Sequence, residues 1–166
     1  MNNFTVDDIK QSVDYGWRMW IAKICFIFYV LIVIAMTIAV AVMLDDTPNP
    51  KLYWTIMGFL ILLIPSEFIV FAIISVCKGR SLLKRYSRFT QHEVVLNEPH
   101  SSYIYRGSIY FKVYIPGGDG AISASTNPNF SGFFYGKYKA HEYSGKKVVG
   151  LLDEKSHKFY VIRKVD

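Results

Sequence analysis

Cysteine is nearly missing from this chain, and so is every arrangement of side chains that ordinarily signals catalysis. Two cysteines, Cys25 and Cys77, are too few for a disulfide framework. Both border apolar runs on a side expected to be reducing, and they read as small apolar residues. The four histidines, His92, His100, His141 and His157, have no ligand spacing and no cysteine or carboxylate cluster beside them, so no metal site is predicted. Ser123 and Ser125 lack a nucleophile elbow. Glu142 follows His141 directly, and neighbours on a strand point to opposite faces, so they do not form an acid–base pair. The run Pro116-Gly117-Gly118-Asp119-Gly120 is neither a P-loop nor a dinucleotide fingerprint; it reads as a hairpin turn. No cofactor and no catalytic residue are predicted, and the chain is expected not to be an enzyme.

Charge is scarce in one half only. Residues 1–77 carry 4 Lys+Arg against 6 Asp+Glu, whereas residues 78–166 carry 15 against 7. The 52% hydrophobic fraction is likewise concentrated in the first half. Residues 24–44 form a run of 21 positions without a charge, and residues 52–77 a run of 26 interrupted only by Glu67. A hydrocarbon core of ~30 Å needs ~20 helical residues, so each run is expected to cross a membrane. The first is too long for a signal peptide and has no small-residue cleavage site after it. Trp17 and Trp20 at one end, with Tyr53 and Trp54 at the other, fit rings settled at headgroup level.

The linker 45–51 contains Pro48 and Pro50 and is too short for anything but an antiparallel hairpin. Lys10, Arg18, Lys23, Lys78, Arg80, Lys84, Arg85 and Arg88 flank its open end, and Lys51 alone flanks the linker. The bias of flanking cations predicts both termini in the cytoplasm, and a bacterial inner membrane is the expected location. The sequons at Asn3 and Asn129 would then face the wrong compartment for glycosylation. The predicted organisation is a cytoplasmic segment 1–16, a transmembrane hairpin 17–77, a basic connector 78–90 and a cytoplasmic β domain 91–166. In the first segment, Phe4, Ile9, Val13 and Trp17 recur at helical spacing, and Thr5 with Asp8 resembles a capping box; an interfacial helix is one reading.

Glu67 stands out inside the second run. A charged acid at bilayer depth is unfavourable by about 2.5–3.5 kcal/mol, and such residues ordinarily pair or face protein or water. Pro65 removes a helical hydrogen bond and predicts a kink. Folding the hairpin about Pro48 sets Glu67 opposite Tyr29, so Tyr29, Ser66 and Pro65 join it as a candidate intramembrane polar site. One reading is a brace in which Tyr29 or Ser66 satisfies the acid; the other is a contact to a partner helix or an ion-sensitive site. Ala35, Ala39 and Gly58 fall at similar depth and are candidates for close helix packing.

Lys78, Arg80, Lys84, Arg85 and Arg88 are candidate contacts to anionic headgroups or to a partner; the simpler reading is that they only set orientation. Beyond them the apolar period becomes two. Ile109, Phe111, Val113 and Ile115 fall on one face and Tyr110, Lys112 and Tyr114 on the other, as in a half-buried strand. Residues 121–125 can return from the turn, 145–152 and 158–164 form a further hairpin, and 91–96 and 103–105 are weaker strands. The expected domain is antiparallel and all-β, with five or six strands in a barrel-like or half-open sandwich arrangement. Residues 127–143 are irregular and aromatic. Phe130, Phe133, Phe134, Tyr135 and Tyr138 there are a candidate binding loop, or else rings that complete the core.

Three functions remain open. The leading one is an adaptor or regulator that binds a membrane-protein partner, in the manner of an accessory subunit or an immunity or exclusion protein. The second is an oligomeric channel or transporter component built on Glu67, and the third an enzyme acting on lipid. Single-stranded nucleic acid, which needs a positive groove with free stacking rings, is not an expected partner.

Overall fold

The computed structural model describes residues 4–43, 49–101, 107–117, 120–132 and 137–165. It divides into two compact units, residues 19–77 and residues 1–18 together with 78–166.

The 19–77 unit is helical. Helix α2 (Val13–Val42) supplies its first limb, and α3 (Pro50–Leu63) with α4 (Ser66–Lys84) the second. Asn49 caps α3 by accepting from the Leu52 amide at 3.3 Å, with Pro50 in the first turn, where its missing N–H is no loss. The predicted break is present: the helix is interrupted at Ile64 and Pro65, and the Ser66 hydroxyl donates to the Leu63 carbonyl at 2.6 Å. Phe28 and Phe68 stack at 6.2 Å between centroids, and each lies twenty positions from Pro48, so the limbs pair at the depth that folding about Pro48 predicts. Thr37 and Thr55 return their hydroxyls to the carbonyls of Val33 and Lys51, which leaves neither donor unsatisfied in an apolar setting. Both limbs are long and apolar enough to cross a membrane. Of their most apolar stretches only 6% and 11% respectively is buried in the protein.

The other unit is a sheet with helices laid on it. Its strands are β1 (Phe89–Val95), β2 (Pro99–Ser101), β3 (Ser108–Gly117), β4 (Gly120–Ser125), β5 (Phe130–Ser131), β6 (Lys147–Asp153) and β7 (Lys158–Lys164), in the order β1-β6-β7-β4-β3-β2 with β5 also on β3. This corrects the antiparallel expectation. The sheet has seven strands, is open, and is mixed, because β4 and β7 run parallel at Ser125 and Lys158. Alternation within a strand reports which face is buried, not the direction of the neighbour. Strand β1 starts at Phe89, and α4 runs to Lys84 before a 3-10 turn at Tyr86–Arg88, so the expected connector is mostly the end of a helix. The expected strand 103–105 lies outside the described residues.

The sheet buries both faces at β6 and β7. One core gathers Phe111, Val113, Phe130, Val148, Leu152 and Phe159, the other Ile9, Leu82, Phe89, Leu151, Tyr160 and Ile162. That explains why Val148–Leu152 and Phe159–Ile162 read as continuous apolar runs, not alternating ones. Helix α1 (Val6–Gln11) covers the second core. It has the predicted capping box between Thr5 and Asp8, and its Ile9 is 2% exposed in that core, while Val13, the first residue of α2, is 1% exposed in the first core. The interfacial-helix reading is thereby replaced by docking on the β domain. Ser12 makes the corner, donating to the Ile9 carbonyl at 2.6 Å and accepting from the Tyr15 amide at 3.3 Å.

Candidate functional site

Glu67 is the second residue of α4, immediately after the break that Pro65 imposes. Its side chain is exposed, and no hydrogen bond or ion pair holds it among the described residues. Tyr29, on the other limb at the same depth, is half-buried and does not bond to it. Ser66 spends its hydroxyl on the Leu63 carbonyl. The brace reading therefore has no bond among the described residues to rest on: the acid is exposed, as are Val70, Phe71 and Ile74 on the same helix.

The helix-packing candidates also lie elsewhere than expected. Ala35 and Ala39 are exposed, and a Cβ added at Gly58 would meet no atom within 4 Å. Ala22, Val40, Ile61 and Pro65 are the buried positions of the limbs instead. Depth was readable by counting from the linker, but which of several faces turned inward was not, because apolar residues encircle both helices.

Lys78, Arg80, Lys84, Arg85 and Arg88 are all exposed, and none forms an ion pair among the described residues. Leu82, on the same turns, is 5% exposed and anchors this basic helix end in the second core.

The aromatic loop divides. Phe130 is 2% exposed and meets Phe111 and Tyr143 edge-on at 5.1 and 5.0 Å. Tyr138 is packed against the same core, close enough to α2 that a Cβ at Gly16 would collide with its hydroxyl. These two rings belong to the core and not to a binding surface. Phe133, Phe134 and Tyr135 lie outside the described residues.

One polar site escaped the sequence reading. Asp14, in the first turn of α2 and ten positions ahead of the charge-free run, is 2% exposed. Its Oδ1 accepts from the side-chain amides of Asn127 and Asn129, each at 2.6 Å. Burial pushes its carboxyl up to about 6, opposed by the Asn127 bond, the Arg18 charge, the Asn129 bond and the Lys158 charge. Tyr160, beneath it, is held up at about 12, chiefly by burial and then by the charges of Asp14 and Asp153. The Arg18 Nε is itself buried without a partner. The site ties the start of the first long helix to the segment after β4. Asn129 is the second sequon, and here its amide is 9% exposed and engaged. The only signal available was an acid interrupting the apolar stripe between Val13 and Trp17; its partners lie more than a hundred residues away.

Among the described residues no group of three or more His, Cys, Asp or Glu side chains is placed to hold a metal ion. Comparison of the chain with family models, curated proteins and solved structures returns no match.

Proposed function

We propose that this chain is a non-enzymatic two-pass membrane protein, with both termini cytoplasmic, whose hairpin binds a membrane-protein partner while its basic β domain faces the cytoplasm. Accessory subunits of membrane assemblies and immunity or exclusion proteins share this layout. The observation that carries the reading is Glu67, exposed and unpaired among the described residues on the outside of an uncovered apolar hairpin. A core helix of a water-soluble protein is mostly buried, whereas 6% and 11% of the most apolar stretches of these helices is. Lipid is the solvent that leaves such surfaces uncovered without penalty. In that solvent a charged acid costs about 2.5–3.5 kcal/mol, and a donor on a neighbouring helix offsets it. Glu67 stands eleven residues from Lys78, about 16 Å of helix rise, which puts it near the middle of a spanning segment. The five exposed cations from Lys78 to Arg88 would add attraction to anionic headgroups of about 1 kcal/mol each near the surface.

Crosslinking in native membranes, followed by purification in mild detergent, tests the reading. A stoichiometric second membrane protein that is lost in Glu67→Gln is the expected result. Recovery of self-oligomers alone would overturn the adaptor and favour a Glu67-lined channel, in which the same variant changes conductance with assembly intact.

A further inference from the structure

The face of the sheet turned away from Phe111, Val113 and Ile115 carries an unusual transverse row. The registers pair Lys112 with Ser125 across β3 and β4, and Ser125 with Lys158 across β4 and β7. Directly opposed residues project to the same face, so the row reads lysine, serine, lysine. Opposite charges are the usual stabilising choice at such positions. Here two like charges flank a hydroxyl, and neither lysine is ion-paired among the described residues.

The row opens into a shallow cavity of about 360 Å³, lined also by Tyr110, Ser123 and His157. Among the described residues no carboxylate lines it. Strands β4 and β7 meet at this single bridge, and both partners line the cavity. The Lys158 ammonium is half-buried and donates to the Ser125 hydroxyl at 3.1 Å, leaving the serine proton free for an acceptor above it. The Ser125 amide is bonded to the His157 carbonyl at 3.1 Å, which fixes the rim. His157 itself sits at φ 50°, a conformation seldom adopted by residues other than glycine. Asp153 holds the turn that imposes it, accepting from the Lys155 amide and the Ser156 hydroxyl. Asp14 acts on Lys158 through its charge, without an ion pair between them.

We propose that this cleft is a binding site for a phosphate group, with Lys112 and Lys158 closing on its oxygens from two sides and the hydroxyls of Ser123 and Ser125 donating to it. Two ammonium groups plus neutral donors, with no competing carboxylate, match the charge and the oxygen count of a phosphomonoester. The site is independent of Glu67 and of the membrane reading.

The test uses the full chain in a neutral, phosphate-free detergent. It is titrated calorimetrically with inorganic phosphate and, separately, with a short-chain phosphatidic acid below its micellar concentration. One saturable site is expected. Lys112→Gln and His157→Gly should each weaken it, the former about tenfold, and Lys146→Gln, at an exposed cation outside the cleft, should leave it unchanged. Lys112 is exposed and glycine accepts the φ of His157, so both variants keep the fold, which an unaltered thermal midpoint checks. Tighter binding of the phosphatidic acid identifies a lipid headgroup as the source, and equal or weaker binding a soluble phosphate; both support the site. Absence of saturation with either probe into the millimolar range, or saturation untouched by Lys112→Gln, overturns it.

Discussion

Asp14 and Glu67 place the same functional group in opposite circumstances. Asp14 is enclosed and bonded twice; Glu67 is exposed and bonded to nothing among the described residues. Because burial raises the folded-state carboxyl of Asp14 from 3.8 to about 6, the folded protein binds more protons than the unfolded one between those values. Stability from this group is therefore fully present below about pH 4 and falls as pH rises through about 6. A shift of roughly two units corresponds to about 3 kcal/mol. Asp14→Asn keeps an oxygen for both asparagine amides and removes the charge. Denaturant or thermal unfolding of this variant should show a flattened profile between pH 4 and 6 and greater stability than the parent at pH 7. An unchanged slope would place the pH dependence elsewhere. Such a site was not legible in the sequence because Asn127 and Asn129 reach Asp14 only after the chain has crossed both helical limbs and four strands.

At the scale of elements, two glycines make the contrast. Gly150 lies in β6 at a register shift with β7. A Cβ there would collide with the Phe159 ring, which is fully buried, and approach the Tyr160 carbonyl oxygen to 2.7 Å. Neither neighbour can yield, so Gly150→Ala should destabilise the β domain by about 1–3 kcal/mol, the usual range for overpacking. Gly58, in α3, has open space around it. Gly58→Ala should be neutral, or stabilise the helix by about 0.5–1 kcal/mol. Thermal unfolding of the two variants side by side checks both; loss of stability in Gly58→Ala would restore the close helix contact that the small residues suggested. The pattern of apolar residues predicted β3 and the β6–β7 hairpin, which carry most of the buried strand positions, and the Pro-Gly run predicted the return along β4. It predicted neither the three-residue β2 nor the two-residue β5, which are too short to show a period. The docking of α1 was half visible: spacing marked Ile9 and Val13 as one stripe but could not say whether lipid or protein would cover it.

For the whole molecule, the division into an apolar and a basic half was the plainest feature of the sequence and is also the division into two units. The boundary differs in one respect. Residues 1–18 belong with the β domain and not with the helical limbs, because Ile9, Val13 and Asp14 are committed to the sheet. The first long helix thus begins inside one unit and continues as the first limb of the other, and Leu82 ties the last turns of α4 to the same core. The proposed adaptor requires that both limbs cross a membrane.

Crossing is therefore the claim to test first, by labelling single cysteines with a membrane-impermeant thiol reagent. In a background with Cys25→Ala and Cys77→Ala, one variant carries Lys51→Cys and the other Ser87→Cys, both at exposed positions. In intact cells Lys51→Cys should be labelled and Ser87→Cys protected, with both labelled once the membrane is opened. Equal labelling of the two positions in intact cells, or equal protection of both, would contradict a hairpin that crosses the membrane twice with its termini inside.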